Sequence, residues 1–365
     1  MSRYVGNMWN YIEKYRMKKI VVRCIVLTML FVIIVAYAYR FYPQQQMPVG
    51  EPVSIKTPEP EKYHDDCLHP CVRELCDGSF VMVHTPYYAW NNKIENPMIY
   101  HSSSLTDFGM GTLLVNTPEI GFNSDPIVFV DDTLVYAFYR AFETPQCKEL
   151  CLDKIVLGGR IGIMDTVQFV DKQIYIYNKW NRGDLTQCPI LMKHEGKYLF
   201  YAAWYQYGPE RKNRGVAVWE GSSLDEPDFQ LTDTIPFDNP LVCDKLFQKK
   251  IWGWIYYVPI PKRYDMWHFD LFEYDDKLFM VSCAEKDDNI VLSVSTDWRH
   301  FKTCWKPLVN NHCSENYTEY RQYYYKPTAI IQNDSLYLYY TANAKDDPNR
   351  NQLFLSKKAM KDLKY

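Results

Sequence analysis

The 365-residue sequence predicts an all-β chain, a five-bladed β-propeller preceded by one N-terminal hydrophobic targeting or anchor helix, and three observations predict it. A Pro-led pair of aromatic-rich strands recurs five times along the chain. The composition, with 31 Tyr, 18 Phe and 10 Trp against 15 Gly, suits stiff rings on pleated, half-buried surfaces. A single basic-then-apolar segment stands before the first repeat. With 47% hydrophobic and 23% charged residues, the chain is neither disordered, collagen-like nor polytopic.

The elements follow in chain order. Residues 1–19 form a basic N-terminal segment, and Lys14, Arg16, Lys18, Lys19 and Arg23 precede an apolar run from Cys24 to Tyr39. That pattern is a signal peptide or signal anchor over 20–39, with the domain exported beyond it, either tethered to the membrane or secreted. Residues 40–63 are rich in Pro, Gln and Glu and read as an extended linker. The propeller domain is expected over 64–365. Formal net charge is −3 for the chain, and the basic start leaves the rest more acidic, which disfavours a nucleic-acid partner.

Apart from Cys24, ten cysteines remain: Cys67, Cys71, Cys76, Cys147, Cys151, Cys188, Cys243, Cys283, Cys304 and Cys313. An even number in an exported domain points to disulfides. His64, Cys67, His69, Cys71 and Cys76 cluster but match no standard zinc spacing, so no metal and no cofactor is expected.

The repeats carry the fold. His69-Pro70-Cys71-Val72, Asp125-Pro126-Ile127-Val128, Cys188-Pro189-Ile190-Leu191, His268-Phe269-Asp270-Leu271 and Lys326-Pro327-Thr328-Ala329 each start a strand, and an acidic or Gly turn leads to an aromatic second strand. Several copies continue into a third strand. Equivalent positions are 56, 63, 80 and 58 residues apart, too long for the commonest blades and suited to four strands with loops. Met164 to Asp171 resembles Asp125 to Asp131 and is assigned to the outer part of the second blade.

These phrases, together with Thr85-Pro86-Tyr87, Glu95-Asn96-Pro97, Asn123-Ser124 and Tyr139-Arg140, resemble the five-bladed propellers of glycoside hydrolase families 43, 32, 62, 68 and 130 over residues 64 to 360. The resemblance implies an axial site in which carboxylates at the starts of the innermost strands act as base or nucleophile, acid and tuning partner. This chain departs from it: His69 and Cys188 stand where carboxylates would be expected in the first and third blades.

Glycoside hydrolysis needs one carboxyl to protonate the leaving oxygen and another group to activate water or attack. Asp125 and Asp270 are the first catalytic candidates, with Glu95 and Glu285 behind them. His69, Tyr87, Arg140, Trp204, Trp267, His268 and Lys326 are candidates for binding an oligo- or polysaccharide, through hydrogen bonds or by ring stacking. Each has a plainer role: a capping aspartate, a buried His268–Asp270 pair, inter-blade aromatics, a solvated lysine. The function expected is an exported carbohydrate-active propeller of the glycosidase kind. The alternatives are a non-catalytic glycan-binding propeller and a cell-surface interaction scaffold. Gly158 to Gly162 lacks the lysine of a phosphate loop, and no serine-hydrolase elbow or zincin motif occurs.

Overall fold

A computed structural model describes residues 2–41, 45–116, 122–132, 134–142, 154–155, 184–206, 212–224, 229–237, 241–251, 254–264, 266–284, 289–310, 324–344 and 346–365. The architecture is mostly β and propeller-like. Five innermost strands, Cys71–Glu74, Phe122–Asp131, Asp184–His194, Met266–Tyr274 and Tyr324–Gln332, pack side by side around an axis, the last against the first. Each leads an antiparallel sheet that runs outward. Four of these sheets hold four or more strands, so four blades are complete among the described residues where the sequence reading expects five; the sheet led by Phe122–Asp131 has three. The second-blade assignment of Met164 to Asp171 lies outside the described residues.

Ring closure uses both ends of the domain. Glu51–Pro52 adds to the outer strand Asn351–Ala359, and Ser54–Lys56 pairs in parallel with Asp107–Met110 in a small two-stranded sheet of its own. Residues 45–57, within the stretch expected to be a linker, are seated on the domain: Met47 and Val53 are buried, and Gln46 Nε2 donates to the carbonyls of Lys306 (2.9 Å) and Lys364 (3.1 Å). The return bond from Lys364 N to Gln46 Oε1 is 2.7 Å. A buried amide with both ends satisfied fixes the register of this segment.

Strand alternation explains the packing. Phe279, Leu292, Leu336, Leu338 and Phe354 join the fourth sheet to the fifth, and Val72, Met82, Phe108, Tyr339 and Leu353 join the fifth to the first. The remaining interfaces share one large cluster that includes Val83, Ile127, Phe138, Phe200, Trp219 and Phe269. Facing apolar sheets are buried only when the ring is closed, so no blade holds its core alone.

Two sequence expectations are corrected. Ser2–Phe41 is one helix, yet among the described residues no helix is long and apolar enough to cross a membrane. The apolar run of about 16 residues falls short of the roughly 20 that a span requires. The membrane anchor is therefore not supported. Cys67, Cys71, Cys76, Cys188 and Cys304 are free thiols, not the disulfides expected. Cys71, for example, is packed against the backbone of Val128, as buried thiols in a core commonly are. The side chains of Cys147, Cys151, Cys243 and Cys313 lie outside the described residues.

Candidate functional site: the axial cluster

The starts of the innermost strands share a local device. Pairing slips between Ser124 and Ile127, between Gln187 and Ile190, between Met266 and His268, and between Tyr325 and Thr328. In three of these bulges sits a proline, Pro126, Pro189 or Pro327, which has no N–H to give to the ladder. The residue before each proline takes a left-handed backbone: φ is 47° at Asp125, 52° at Cys188 and 36° at Lys326. Such conformations cost about 1–3 kcal/mol for non-glycine residues and concentrate at functional sites. Bulges re-aim side chains, and these three converge with His69 and His268.

Their meeting point is Asp125, 1% exposed. Around its Oδ1 stand His69 Nε2 at 3.5 Å, His268 Nδ1 at 3.7 Å, Lys326 Nζ at 3.8 Å and Cys188 Sγ at 4.0 Å. Oδ2 faces Arg140 Nη1 at 3.2 Å. Cys188 Sγ also contacts His268 Nδ1. On its other side His69 Nδ1 lies 2.8 Å from Thr85 Oγ1 and 3.3 Å from Glu95 Oε1, and Glu95 accepts a hydrogen bond from Ser124. Every one of these side chains is buried.

Electrostatics assigns the charges. Burial opposes ionisation of Asp125, but Arg140, His69, Lys326 and His268 together outweigh it and hold its carboxyl well below the usual range. Burial, with Lys326, His69 and Arg140 adding to it against the pull of Asp125, keeps His268 neutral. Burial and the neighbouring Asp125 charge hold the Cys188 thiol protonated. Asp125 is thus a fixed anion and a poor proton donor, whereas the Glu95–His69–Thr85 chain has the contacts needed to pass a proton. His69, Asp125 and His268 also present ligand atoms within 4.8 Å of one another, a spacing that could hold a metal ion.

The structure separates the two leading carboxylates of the sequence reading. Asp270 does not join the cluster; it accepts from Arg73 Nη1 at 2.9 Å and Nη2 at 2.7 Å, from Thr328 Oγ1 at 2.6 Å, and from the amides of Ala329 (3.0 Å) and Leu271 (2.8 Å). It ties the first, fourth and fifth innermost strands together. Beyond that tie the far ends of the five strands line a cavity of about 440 Å³, with Glu74, Asp131, Lys193, Glu273 and Ile331 among its walls.

Trp267 donates its indole N–H to Tyr325 Oη (3.0 Å), and Trp204 packs against the main core. Tyr87 is half-buried, with Trp90 edge-on to it at 5.7 Å. Glu285 lies outside the described residues. Sequence reasoning treated Cys188 only as a missing carboxylate and did not single out Ser124, Thr85 or Tyr325; position before a strand-starting proline was the available signal for Cys188.

No family model and no curated protein matches the chain. Solved structures do. An N-acetylgalactosamine deacetylase from F. plautii, in complex with blood group B trisaccharide, aligns at a TM-score of 0.57 and 13% identity, covering 88% of this chain and 95% of that one. An alpha-L-arabinofuranosidase from Lactobacillus brevis aligns at 0.53 and 10% identity, with 80% and 90% covered. A GH43 beta-xylosidase/alpha-arabinofuranosidase from a compost microbial metagenome, in complex with xylotriose, aligns at 0.52 and 12% identity, with 85% and 94% covered. At such identities the likeness is one of fold alone, that of a β-propeller.

Proposed function

We propose that the chain is a carbohydrate-active hydrolase whose reaction centre is the axial cluster, with Glu95 and His69 moving the proton beside the fixed charge of Asp125. The observation that carries this reading is the convergence of His69, Cys188, His268 and Lys326, from four different sheets, to within 4.0 Å of one oxygen of Asp125, which leads a fifth. Burying so many polar groups at an axis that apolar residues could fill is costly, and sites with strongly shifted titration are where chemistry concentrates.

Hydrolysis of a glycosidic or acyl link needs a group that gives and takes a proton. Asp125, held ionised, supplies negative charge for a developing cation or for a hydroxyl to donate to. Glu95, hydrogen-bonded to Ser124 and close to His69, is the proton-handling carboxyl. A glycan ligand is supported by the saccharides in the solved neighbours, a trisaccharide and xylotriose. Five innermost strands in a closed ring support a five-bladed count, the sheet led by Phe122–Asp131 being the blade with three described strands. The basic flank and apolar run at the N-terminus support export of the domain, which fractionation of expressing cells would test.

The test of function is a panel of oligosaccharides incubated with wild type, Glu95→Gln and Asp125→Asn, with products read by mass spectrometry and binding by calorimetry. Products from wild type that fall at least about 100-fold in Glu95→Gln while binding persists support the hydrolase, that being the usual scale of acid–base catalysis. Binding without products from any of the three gives the non-catalytic glycan-binding alternative.

A further inference from the structure

The positions where this chain departs from an all-carboxylate axis share one chemical property. His69 stands just before the first innermost strand, and Asp125, Cys188 and His268 lie within the first five residues of the next three; imidazole, carboxylate, thiolate and imidazole are the ligands of transition-metal sites. We propose that these four side chains form a binding site for a soft divalent transition ion, zinc or one of similar preference, on the propeller axis. The site stands on its own geometry and bears on the hydrolase reading without depending on it.

Two observations carry the proposal. The first is spacing. A tetrahedral ion with ligand bonds of about 2.0–2.3 Å sets its ligand atoms about 3.3–3.8 Å apart. His69 Nε2 and His268 Nδ1 stand 3.5 and 3.7 Å from Asp125 Oδ1, on the edges of such a tetrahedron, and the three ligand atoms lie within 4.8 Å of one another; Cys188 Sγ, 4.0 Å from Asp125 Oδ1 and in contact with His268 Nδ1, has to move away from His268 to become the fourth ligand. The second is the outer shell. Metal-binding histidines commonly anchor their other nitrogen on a carboxylate, carbonyl or hydroxyl, and His69 Nδ1 meets Glu95 and the Thr85 hydroxyl.

The surroundings select the kind of ion. Lys326 and Arg140 already face Asp125, so a hard cation held by carboxylate charge alone, such as calcium or magnesium, is disfavoured there. Thiolate and imidazole donors favour zinc or cobalt instead. On binding, the Cys188 thiol gives its proton to solvent and its sulfur forms the metal bond, so each ion taken up releases one proton. The contact between Cys188 and His268 then opens to admit the ion.

Cobalt(II) makes the proposal visible without any substrate. The full chain is freed of metal by a chelator, titrated with one equivalent of Co²⁺, and followed by absorption alongside Cys188→Ser and His268→Gln. The expected result is a thiolate-to-cobalt charge-transfer band with intense tetrahedral visible bands in wild type. The charge-transfer band should vanish in Cys188→Ser, while weaker visible bands persist through the remaining nitrogen and oxygen donors. His268→Gln should lower affinity at least 10-fold, and circular dichroism reports whether each variant is folded. Wild type that shows no such spectrum, or a charge-transfer band that survives in folded Cys188→Ser, overturns the proposal. Neither outcome depends on glycan turnover, so a failure here is distinct from a failure of the hydrolase reading.

Discussion

Asp270→Asn should destabilise this protein without touching its chemistry. The side chain is 1% exposed and accepts five hydrogen bonds, two of them from the guanidinium of Arg73, whose own side chain is 16% exposed. Breaking a buried ion pair by neutralising one partner leaves the other charge uncompensated and costs about 3–5 kcal/mol. Because Arg73 keeps some contact with solvent and the amide can still accept one or two of the bonds, about 3 kcal/mol is the expected loss. At roughly 2–4 °C per kcal/mol for a domain somewhat smaller than this one, the melting temperature should fall by about 6–12 °C.

The assay is thermal and urea unfolding of wild type, Asp270→Asn, Arg73→Met and the double variant Arg73→Met/Asp270→Leu. The double variant should be no less stable than either single one, since an apolar pair leaves no stranded charge, and the coupling energy should be about 2 kcal/mol or more. An Asp270→Asn protein that melts within about 1 °C of wild type would refute the reasoning. So would loss of glycan turnover at unchanged stability, which would move Asp270 into the reaction centre.

Asp66 is held up to about 7 by burial, against the opposing amides of Asn351 and Tyr87. Its folded-state proton is retained where the unfolded chain has lost its own, so its contribution is full below about pH 4 and lost as pH rises through 7, about 4 kcal/mol at most. His84, lowered to about 4 chiefly by burial, acts in the opposite sense, losing stability as pH falls from about 6.5 toward 4. The Asp66 contribution is therefore read as the difference between wild type and Asp66→Asn in unfolding free energy from pH 4 to 7; a difference that does not change with pH contradicts it. Alkylation of denatured, unreduced protein should label Cys67, Cys71 and Cys188, and mass spectra showing any of them in a disulfide would contradict the free-thiol assignment. Gly215→Ala should destabilise by about 2–4 kcal/mol, because φ is +140° and an added Cβ would lie 2.0 Å from the Ile235 carbonyl oxygen; a melting curve like that of wild type would exclude that clash.

Local signals in the chain were enough for the strands and for most of the axial cluster. A proline before an apolar strand marks a bulge, and the residue ahead of it is aimed inward, which is why Asp125 and Lys326 could be singled out one repeat at a time. What a single sequence does not show is the partner across the ring. Asp270 and His268 alternate onto one face as expected, but Arg73, from a strand 197 residues earlier, takes Asp270 out of the cluster. Likewise Gln46 looked like linker because its partners, the carbonyls of Lys306 and Lys364, exist only once the ring has closed. Cys188 was visible as a departure from a carboxylate pattern, while its contact with His268 depends on the third and fourth blades meeting at the axis.

The central claim is that the axial cluster around Asp125 acts on a glycan. It is tested most directly by measuring product release from an oligosaccharide panel with wild type and Asp125→Asn, both shown to be folded by circular dichroism. The account predicts turnover by wild type and a loss of at least about 100-fold in the variant. Turnover that is equal in the two proteins would place the reaction elsewhere and contradict the account.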